Sequence, residues 1–172
     1  MTTDDHEEFD SFLPWCESKL ITTEEVLDFL DIYHSHPLRN GELAHLIAEG
    51  FTYSSMYRLG KELYLYKDQE TLIWDDVIEP IRSKRVAKPN KLSSLESSRV
   101  FHLALCLLVA RKVFMGEVRT RYFLLNKHGE FSGKTPLECI MEGRGTMRQV
   151  MELLESLPHW DLIPARYYRN EG

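Results

Sequence analysis

Hydrophobic residues recur every three or four positions along most of the chain, which is the spacing of helices with one buried face. The first run begins near residue 23, where Thr22 and Glu25 have the spacing of a capping box. It continues to His36-Pro37, and helical backbone is disfavoured at the residue before a proline. The pattern therefore predicts a first helix that starts near residue 23 and ends at His36-Pro37.

Two further short helices follow in the pattern. Asn40 is a suitable N-cap for the second helix, and Gly50 is suited to a left-handed backbone conformation at its end. The third helix is expected to start among Thr52, Ser54 and Ser55. The apolar positions that define these helices are Leu43, Leu46 and Ile47 in the second, and Met56, Leu59 and Leu63 in the third.

The segment 63–74 fits two structures. Alternating leucines and tyrosines, a polar stretch and then Thr-Leu-Ile-Trp are compatible with a short β-hairpin or with a helix and a loop. Pro80 suits the first turn of a helix that continues to Arg85, and Pro89-Asn90 then interrupts the chain.

A long helix is predicted after Ser93, which has the position of an N-cap with Glu96 as its capping-box partner. Gly116 is expected to stop it. Residues 100–110 are apolar on nearly every face, so other elements must cover this helix all round, or part of it lies in an oligomer interface. His102 within it is expected to be a hydrogen-bonded core residue.

The remaining chain also predicts helices. Residues 117–125 form one, and Thr135-Pro136 with Glu138 supplies the cap, the first-turn proline and the third-position glutamate of another. Gly143-Arg144-Gly145 separates that helix from a last one, which Pro158 closes. These patterns together predict an all-α fold.

The composition is that of a folded protein, since 43% of the 172 residues are hydrophobic and 28% are charged. The three cysteines, Cys16, Cys106 and Cys139, form no CxxC pair, which argues against a disulfide framework and a zinc site and favours a reducing compartment. The acidic N-terminus does not resemble a signal peptide, and the apolar stretch 100–110 is well short of the ~20 residues that cross a bilayer. We therefore expect a cytoplasmic protein without a membrane partner.

The net charge of −6 is unevenly distributed. Residues 1–32 contain ten acidic residues against one lysine, so the rest of the chain is net positive. Five cations without an intervening acid can attract a polyanion, although a solvated linker is an equal alternative. The acidic N-terminus is most simply a solvated helix. The five cations are Arg82, Lys84, Arg85, Lys88 and Lys91.

Enzyme signatures are weak. Of the seven histidines only His34 and His36 are close together, near Asp31 and a proline, and the sequence offers no third metal ligand. Gly143-x-Gly145 lacks the further glycine and the preceding strand of a phosphate-binding loop. We expect a protein that is not an enzyme, with no catalytic residue, metal or cofactor.

Several of these segments resemble the Xre/MbcA/ParS-type antitoxins. The resemblance starts with Ile47-Ala-Glu-Gly50-Phe and continues through Leu92-Ser-Ser-Leu-Glu-Ser97 to Val113-Phe-Met-Gly116. It includes Phe131-Ser-Gly133-Lys-Thr135-Pro136-Leu137, which is similar to the family's L-x-G-x-T-P-L signature, and covers about residues 42–157.

The resemblance implies an antitoxin of a type II toxin–antitoxin operon whose partner is a RES-domain toxin that destroys cellular NAD. It implies a helix-turn-helix-like region that binds the operon's promoter, followed by a small helical domain whose C-terminal part covers the toxin's active site. Oligomers are usual in the family, so a homo-oligomer is expected. Three parts follow: an acidic helical extension over 1–40, the helix-turn-helix-like region over 41–91, and the central helix with the toxin-binding domain and tail over 92–172.

The resemblance also assigns the basic segment to operator DNA. Arg82 and Arg85 would contact phosphates or guanine edges from one helix face, and Ser83 and Lys84 would be further hydrogen-bond donors. The family's Leu-Gly-Ile turn is replaced here by Asp75-Asp76-Val77-Ile78, whose carboxylates would repel phosphates. The residues predicted to bind DNA are Arg82, Ser83, Lys84, Arg85 and Lys88.

Toxin contacts are expected in two places. The resemblance assigns Gly133, Thr135 and Pro136, and the aromatic, basic tail supplies side chains of the kind that dominate interfaces. Trp160 and one tyrosine could instead pack onto the protein's own core. The rival function is a DNA-binding regulator or adaptor without a toxin partner. The tail residues predicted to bind the toxin are Trp160, Arg166, Tyr167, Tyr168 and Arg169.

Overall fold

The structure is a computed structural model, and the residues it describes are 18–64 and 90–167. The all-α prediction is confirmed, since these residues form seven α-helices, three short 3₁₀ turns and only isolated β-bridges. The α-helices are α1 (Thr23–Phe29), α2 (Glu42–Glu49), α3 (Tyr53–Tyr64), α4 (Ser94–Phe114), α5 (Glu117–Leu125), α6 (Pro136–Glu142) and α7 (Arg144–Ser156). The 3₁₀ turns are Gly129–Phe131, Trp160–Leu162 and Ala165–Tyr167.

The chain divides into two compact units. The first, called the N-terminal unit, spans residues 24–104, and the second, called the C-terminal unit, combines the residues up to 23 with residues 105–172. This division differs from the predicted boundaries after residues 40 and 91. Residues 65–89 of the predicted helix-turn-helix-like region lie outside the described residues. So does the alternative hairpin at 63–74, apart from Leu63 and Tyr64, which end α3.

In the N-terminal unit, α1 is shorter than predicted. It ends at Phe29 because Asp31 adopts a left-handed conformation with φ 58°. The Ile32 amide donates to the Leu27 carbonyl and the Asp31 amide donates to the Asp28 carbonyl, which is the Schellman pattern of a helix C-terminus. The prediction that the helix runs to His36-Pro37 is therefore wrong, and the helix ends about two turns earlier.

Two glycines shape the next helix. Gly41, with φ 76°, takes the N-cap position of α2, so the prediction of Asn40 as the cap is wrong. Gly50 ends α2 with φ 87°, which confirms the predicted positive φ at this position. A Cβ atom at Gly50 would lie 2.1 Å from the Leu92 carbonyl oxygen, so only glycine allows this approach of the two segments.

The core of the N-terminal unit follows the predicted stripes. Met56, Leu59 and Leu63 of α3 are buried, as are the residues of α4 from Val100 to Ala104. The capping box of α4 is confirmed: the Ser93 hydroxyl accepts from the Glu96 amide at 3.2 Å, and the Glu96 carboxylate accepts from the Ser93 amide at 2.7 Å.

His102 is buried in α4 as predicted, with its Nδ1 3.4 Å from the Ser98 hydroxyl. Burial lowers the pKa of His102 to about 4, so the imidazole is neutral at physiological pH.

In the C-terminal unit, the second half of α4 remains buried through Ala110 except at Leu108. The left-handed residue at the end of this helix is Met115, with φ 50°, whereas Gly116 is extended at φ 175°. The prediction of Gly116 as the stop residue is therefore wrong by one position. Helix α5 has the predicted bounds.

The last two α-helices meet at Gly143, whose φ is 141°. Gly145 lies inside α7, so the predicted separation by Gly143-Arg144-Gly145 is wrong in its extent. Cys106 and Cys139 are buried free thiols, and burial raises the pKa of Cys106 to about 12. Among the described residues, none of the helices has the length and apolar character needed to cross a membrane.

Candidate functional site

The predicted Gly-Lys-Thr-Pro element forms a closed loop in the C-terminal unit. The His128 amide donates to the Lys134 carbonyl at 3.1 Å, and the Gly133 amide donates to the His128 carbonyl at 3.0 Å. Gly133 has φ 77° and is exposed. The His128 ring is buried, with its Nε2 2.8 Å from the Phe123 carbonyl oxygen, so the loop is fixed to α5.

Thr135 and Pro136 start α6. The Thr135 hydroxyl accepts from the Glu138 amide at 3.1 Å, and the Glu138 carboxylate accepts from the Thr135 amide at 2.7 Å, so the predicted capping box is confirmed. Both residues are buried within the unit. Among the three residues that the signature assigned, only Gly133 therefore lies at the surface, and their assignment to the toxin stays a prediction.

The tail folds back onto the same unit. Ile163 and Tyr167 are buried, and the Tyr167 ring packs near Phe123 and His128 with centroid separations of 6.5 and 5.9 Å. The Tyr167 phenol donates to the Glu130 carboxylate at 2.7 Å. This hydrogen bond is the main cause that lowers the pKa of Glu130. Tyr167 thus packs onto the core, as the alternative expected for one tyrosine, and its assignment to the toxin stays a prediction.

Two tail residues beside these anchors are exposed. The Arg166 side chain is 62% exposed, and its guanidinium lies 3.5 Å from the Glu130 carboxylate and 4.8 Å from the centre of the Tyr167 ring. Leu162 is 69% exposed. Trp160 begins the 3₁₀ turn that contains Leu162. Tyr168 and Arg169 lie outside the described residues, so the described part of the tail presents Leu162 and Arg166.

A second exposed apolar feature lies where α4 meets α5. Met115 and Val118 are both largely exposed, on either side of the bend at Gly116. Single exposed apolar side chains are common, but two that flank one bend form a small apolar corner on this unit.

The five residues predicted to bind DNA, which are Arg82, Ser83, Lys84, Arg85 and Lys88, lie outside the described residues. The assignment of this segment to DNA stays a prediction.

One group of potential metal ligands lies in the N-terminal unit. The imidazoles of His34 and His36 and the carboxylate of Asp28 each offer a ligand atom, and these atoms all lie within 4.8 Å of one another. The sequence alone did not place a third ligand beside the two histidines; Asp28 lies there because the reversal at Asp31 returns the chain to the last turn of α1.

Two residues of the candidate sites, Asp28 and Glu130, were missed in the sequence, for different reasons. Asp28 is six positions before His34, a spacing that brings the two side chains together only after the left-handed turn at Asp31. Glu130 gives no local signal, since its partner Tyr167 follows 37 positions later.

Comparison with known proteins adds no relative. No protein-family model matches the sequence, and neither a curated protein nor a solved structure matches it.

Proposed function

We propose that this chain is an antitoxin that neutralises a RES-domain, NAD-degrading toxin by binding it and covering its active site. The support from the sequence is the set of segments that resemble the Xre/MbcA/ParS-type antitoxins, above all Phe131 to Leu137. The support from the fold is that the signature element and the tail belong to one compact unit.

The observation that carries the proposal is the alternation of buried and exposed residues in the tail. Ile163 and Tyr167 anchor it, while the side chains of Leu162 and Arg166 are exposed. An anchored segment loses little conformational freedom when it binds, because its backbone is already ordered. Arginine is enriched at interface hot spots, and an exposed leucine beside it adds apolar area. Occlusion needs such a surface and no reactive group on the inhibitor.

Binding to a toxin is tested with substitutions that leave the anchors intact. The full chain is co-expressed with the product of the adjacent gene, and the complex is recovered through a tag on that partner. Because Ile163 and the Tyr167–Glu130 hydrogen bond still anchor the tail, Leu162→Asp with Arg166→Ala should preserve the fold and weaken recovery at least tenfold. Lys61→Glu, an exposed charge reversal in the N-terminal unit, is the matched control and should not change recovery.

Two outcomes would overturn this part of the proposal. If the wild-type chain is not recovered with the partner, there is no toxin complex of this kind. If the doubly substituted chain is recovered as well as the wild type, the tail does not form the contact.

The proposal extends to operator DNA through the basic segment. Arg82 and Arg85 would contact the backbone or guanine edges, and a homo-oligomer would double those contacts. Mobility shifts on the DNA upstream of the operon test it. Binding should weaken on Arg82→Ala with Arg85→Ala and fall as the salt concentration rises. It should persist on Lys127→Ala, which removes an exposed cation of the C-terminal unit. A lack of any shift, with or without the partner, would contradict it.

The second candidate is a DNA-binding regulator or adaptor without a toxin partner. The observation that favours it is the run of five basic residues between positions 82 and 91, which contains no acid. A mobility shift together with a harmless, non-associating neighbour would select this function over the antitoxin.

A further inference from the structure

Three side chains converge where α1 ends. We propose that Asp28, His34 and His36 bind a divalent transition-metal ion, with Zn²⁺ the first candidate. This site lies in the N-terminal unit and depends on no part of the proposed toxin or DNA binding.

His34 is the residue that argues most strongly for a ligand. Its side chain is only 1% exposed, and its Nδ1 lies 3.0 Å from the Ile32 carbonyl oxygen. A carbonyl only accepts hydrogen bonds, so Nδ1 carries the proton and the neutral ring has its lone pair on Nε2. That Nε2 is buried and has no hydrogen-bond partner among the described residues. A buried acceptor without a partner is unfavourable, and a metal ion would satisfy it.

The hydrogen bond to Ile32 is also the arrangement seen around metal-binding histidines. Such a histidine donates its other ring N–H to a carbonyl or a carboxylate, which fixes the tautomer and the orientation of the ring. His34 is therefore already oriented as a ligand through Nε2.

The other two groups complete an open site. The Nε2 atoms of His34 and His36 each lie 3.9 Å from the same oxygen of Asp28. Ligand atoms around a tetrahedral Zn²⁺ are about 3.3–3.5 Å apart, given Zn–N and Zn–O bonds of about 2.0–2.2 Å. The side chains of His36 and Asp28 are 64% and 61% exposed, so small rotations of these two can close the gap.

The loop that carries the histidines is held from its other side. Ser35, which lies between them, donates its amide to the Glu42 carboxylate at 2.8 Å and its hydroxyl to the same group. Glu42 also accepts from the Arg39 amide at 2.9 Å, and Glu24 accepts from the Leu38 amide at 2.6 Å. These bonds fix the backbone around His34 and His36 through neighbouring residues and leave both imidazoles available.

The donor set selects the class of ion. Two imidazole nitrogens and one carboxylate oxygen suit Zn²⁺, Co²⁺, Ni²⁺ or Cu²⁺ better than Mg²⁺ or Ca²⁺, which prefer oxygen ligands. Three protein ligands leave a fourth position for water or for a group from another molecule. Since His36 and Asp28 are exposed, that position faces solvent.

The test uses the full, chelator-treated chain and Co²⁺ as a spectroscopic probe, followed by Zn²⁺ competition. One Co²⁺ per chain should bind with visible absorption of tetrahedral intensity, and Zn²⁺ should abolish this absorption. Asp28→Asn and His36→Ala remove exposed ligands and should each weaken binding at least about tenfold, since even outer residues of metal sites cost 10–100-fold. Circular dichroism verifies that both variants are folded.

The matched control is His45→Ala. His45 is an exposed histidine in α2 that lies 3.4 Å from Glu49 and has no third ligand beside it among the described residues, so its loss should leave Co²⁺ binding unchanged. The proposal is overturned if the wild-type chain gives no tetrahedral Co²⁺ spectrum. It is equally overturned if Asp28→Asn and His36→Ala bind as tightly as wild type, or if His45→Ala loses binding as they do.

Discussion

Tyr167 and Glu130, 37 residues apart, are joined by a hydrogen bond of 2.7 Å from the phenol to the carboxylate. The Arg166 guanidinium lies 3.0 Å from the Tyr167 phenol oxygen, and the three side chains hold the tail against the loop that precedes α6. The tail is thereby an ordered part of the C-terminal unit as far as residue 167. Because this contact orders the tail, Arg166 and Leu162 are exposed at fixed positions on the unit.

Removal of the phenol oxygen should loosen the tail without removing the aromatic ring. We expect Tyr167→Phe to lower the free energy of unfolding by about 1 kcal/mol, because a hydrogen bond to a carboxylate is lost at a partly solvated site. Urea denaturation measures this change. Tyr33→Phe is the control, since Tyr33 is almost fully exposed and its substitution should change stability by less than about 0.5 kcal/mol. Equal stability of the two variants would contradict the role of the Tyr167–Glu130 contact.

Because Thr135 caps α6, its substitution should change the stability of the protein and not its binding to a partner. Thr135→Ala should lower stability by about 0.5–2 kcal/mol because the Glu138 amide loses its acceptor, and Thr135→Ser should retain most of it. Thermal and urea unfolding measure both. If Thr135→Ala weakened partner binding while stability stayed at the wild-type value, Thr135 would be a contact residue and not a cap.

Gly50 and Gly145 should respond oppositely to alanine. At Gly50 the φ is positive and an added Cβ atom would lie 2.1 Å from the Leu92 carbonyl oxygen, so Gly50→Ala should cost on the order of 1–3 kcal/mol or more. Gly145 lies within α7, and an added Cβ atom would meet no described atom within 4 Å, so Gly145→Ala should be neutral or stabilising by up to about 1 kcal/mol. If Gly50→Ala and Gly145→Ala shifted the denaturant midpoint in the same direction from wild type, this account of Gly50 would be contradicted.

Acid should release the loop that Glu42 holds. Hydrogen bonds from Ser35 and from the Arg39 amide lower the pKa of Glu42 from 4.5 to about 2. Because the folded-state pKa is the lower one, the stabilising effect is fully present above about pH 4.5 and is lost as the pH falls towards 2. The difference in urea midpoint between wild type and Glu42→Gln should therefore shrink between pH 5 and pH 2.

A neutral substitution elsewhere on α2 is the control for that pH series. Glu49→Gln removes an exposed charge on the same helix without touching the Ser35–Arg39 loop. A difference between wild type and Glu42→Gln that stayed constant from pH 5 to pH 2 would show that the Glu42 carboxylate does not hold the loop in its ionised form.

Local signals predicted much of the fold, because a capping box or a helix-starting proline acts within one turn of chain. Ser93 and Thr135 are of this kind, and both caps form as predicted. The end of α1 was not predictable in the same way. Asp31 adopts a left-handed conformation, which aspartate tolerates but does not require, so the hydrophobic pattern alone continues past it.

The candidate sites depended more on tertiary structure. Thr135 and Pro136 were visible as a motif, but the motif could not tell a buried cap from a surface contact. Asp28 joins His34 and His36 only because the chain reverses at Asp31. Packing between distant segments therefore decides which side chains are available to a ligand or a partner, and sequence spacing does not encode it.

The proposed neutralisation of a NAD-degrading partner is tested most directly by measuring the cellular NAD level. The adjacent gene product is expressed alone, with the full wild-type chain, and with the Leu162→Asp, Arg166→Ala variant. The account predicts that NAD falls with the partner alone, is restored by the wild-type chain and stays low with the variant. NAD that is unaffected by the partner, or that stays depleted when the wild-type chain is present, would contradict the claim.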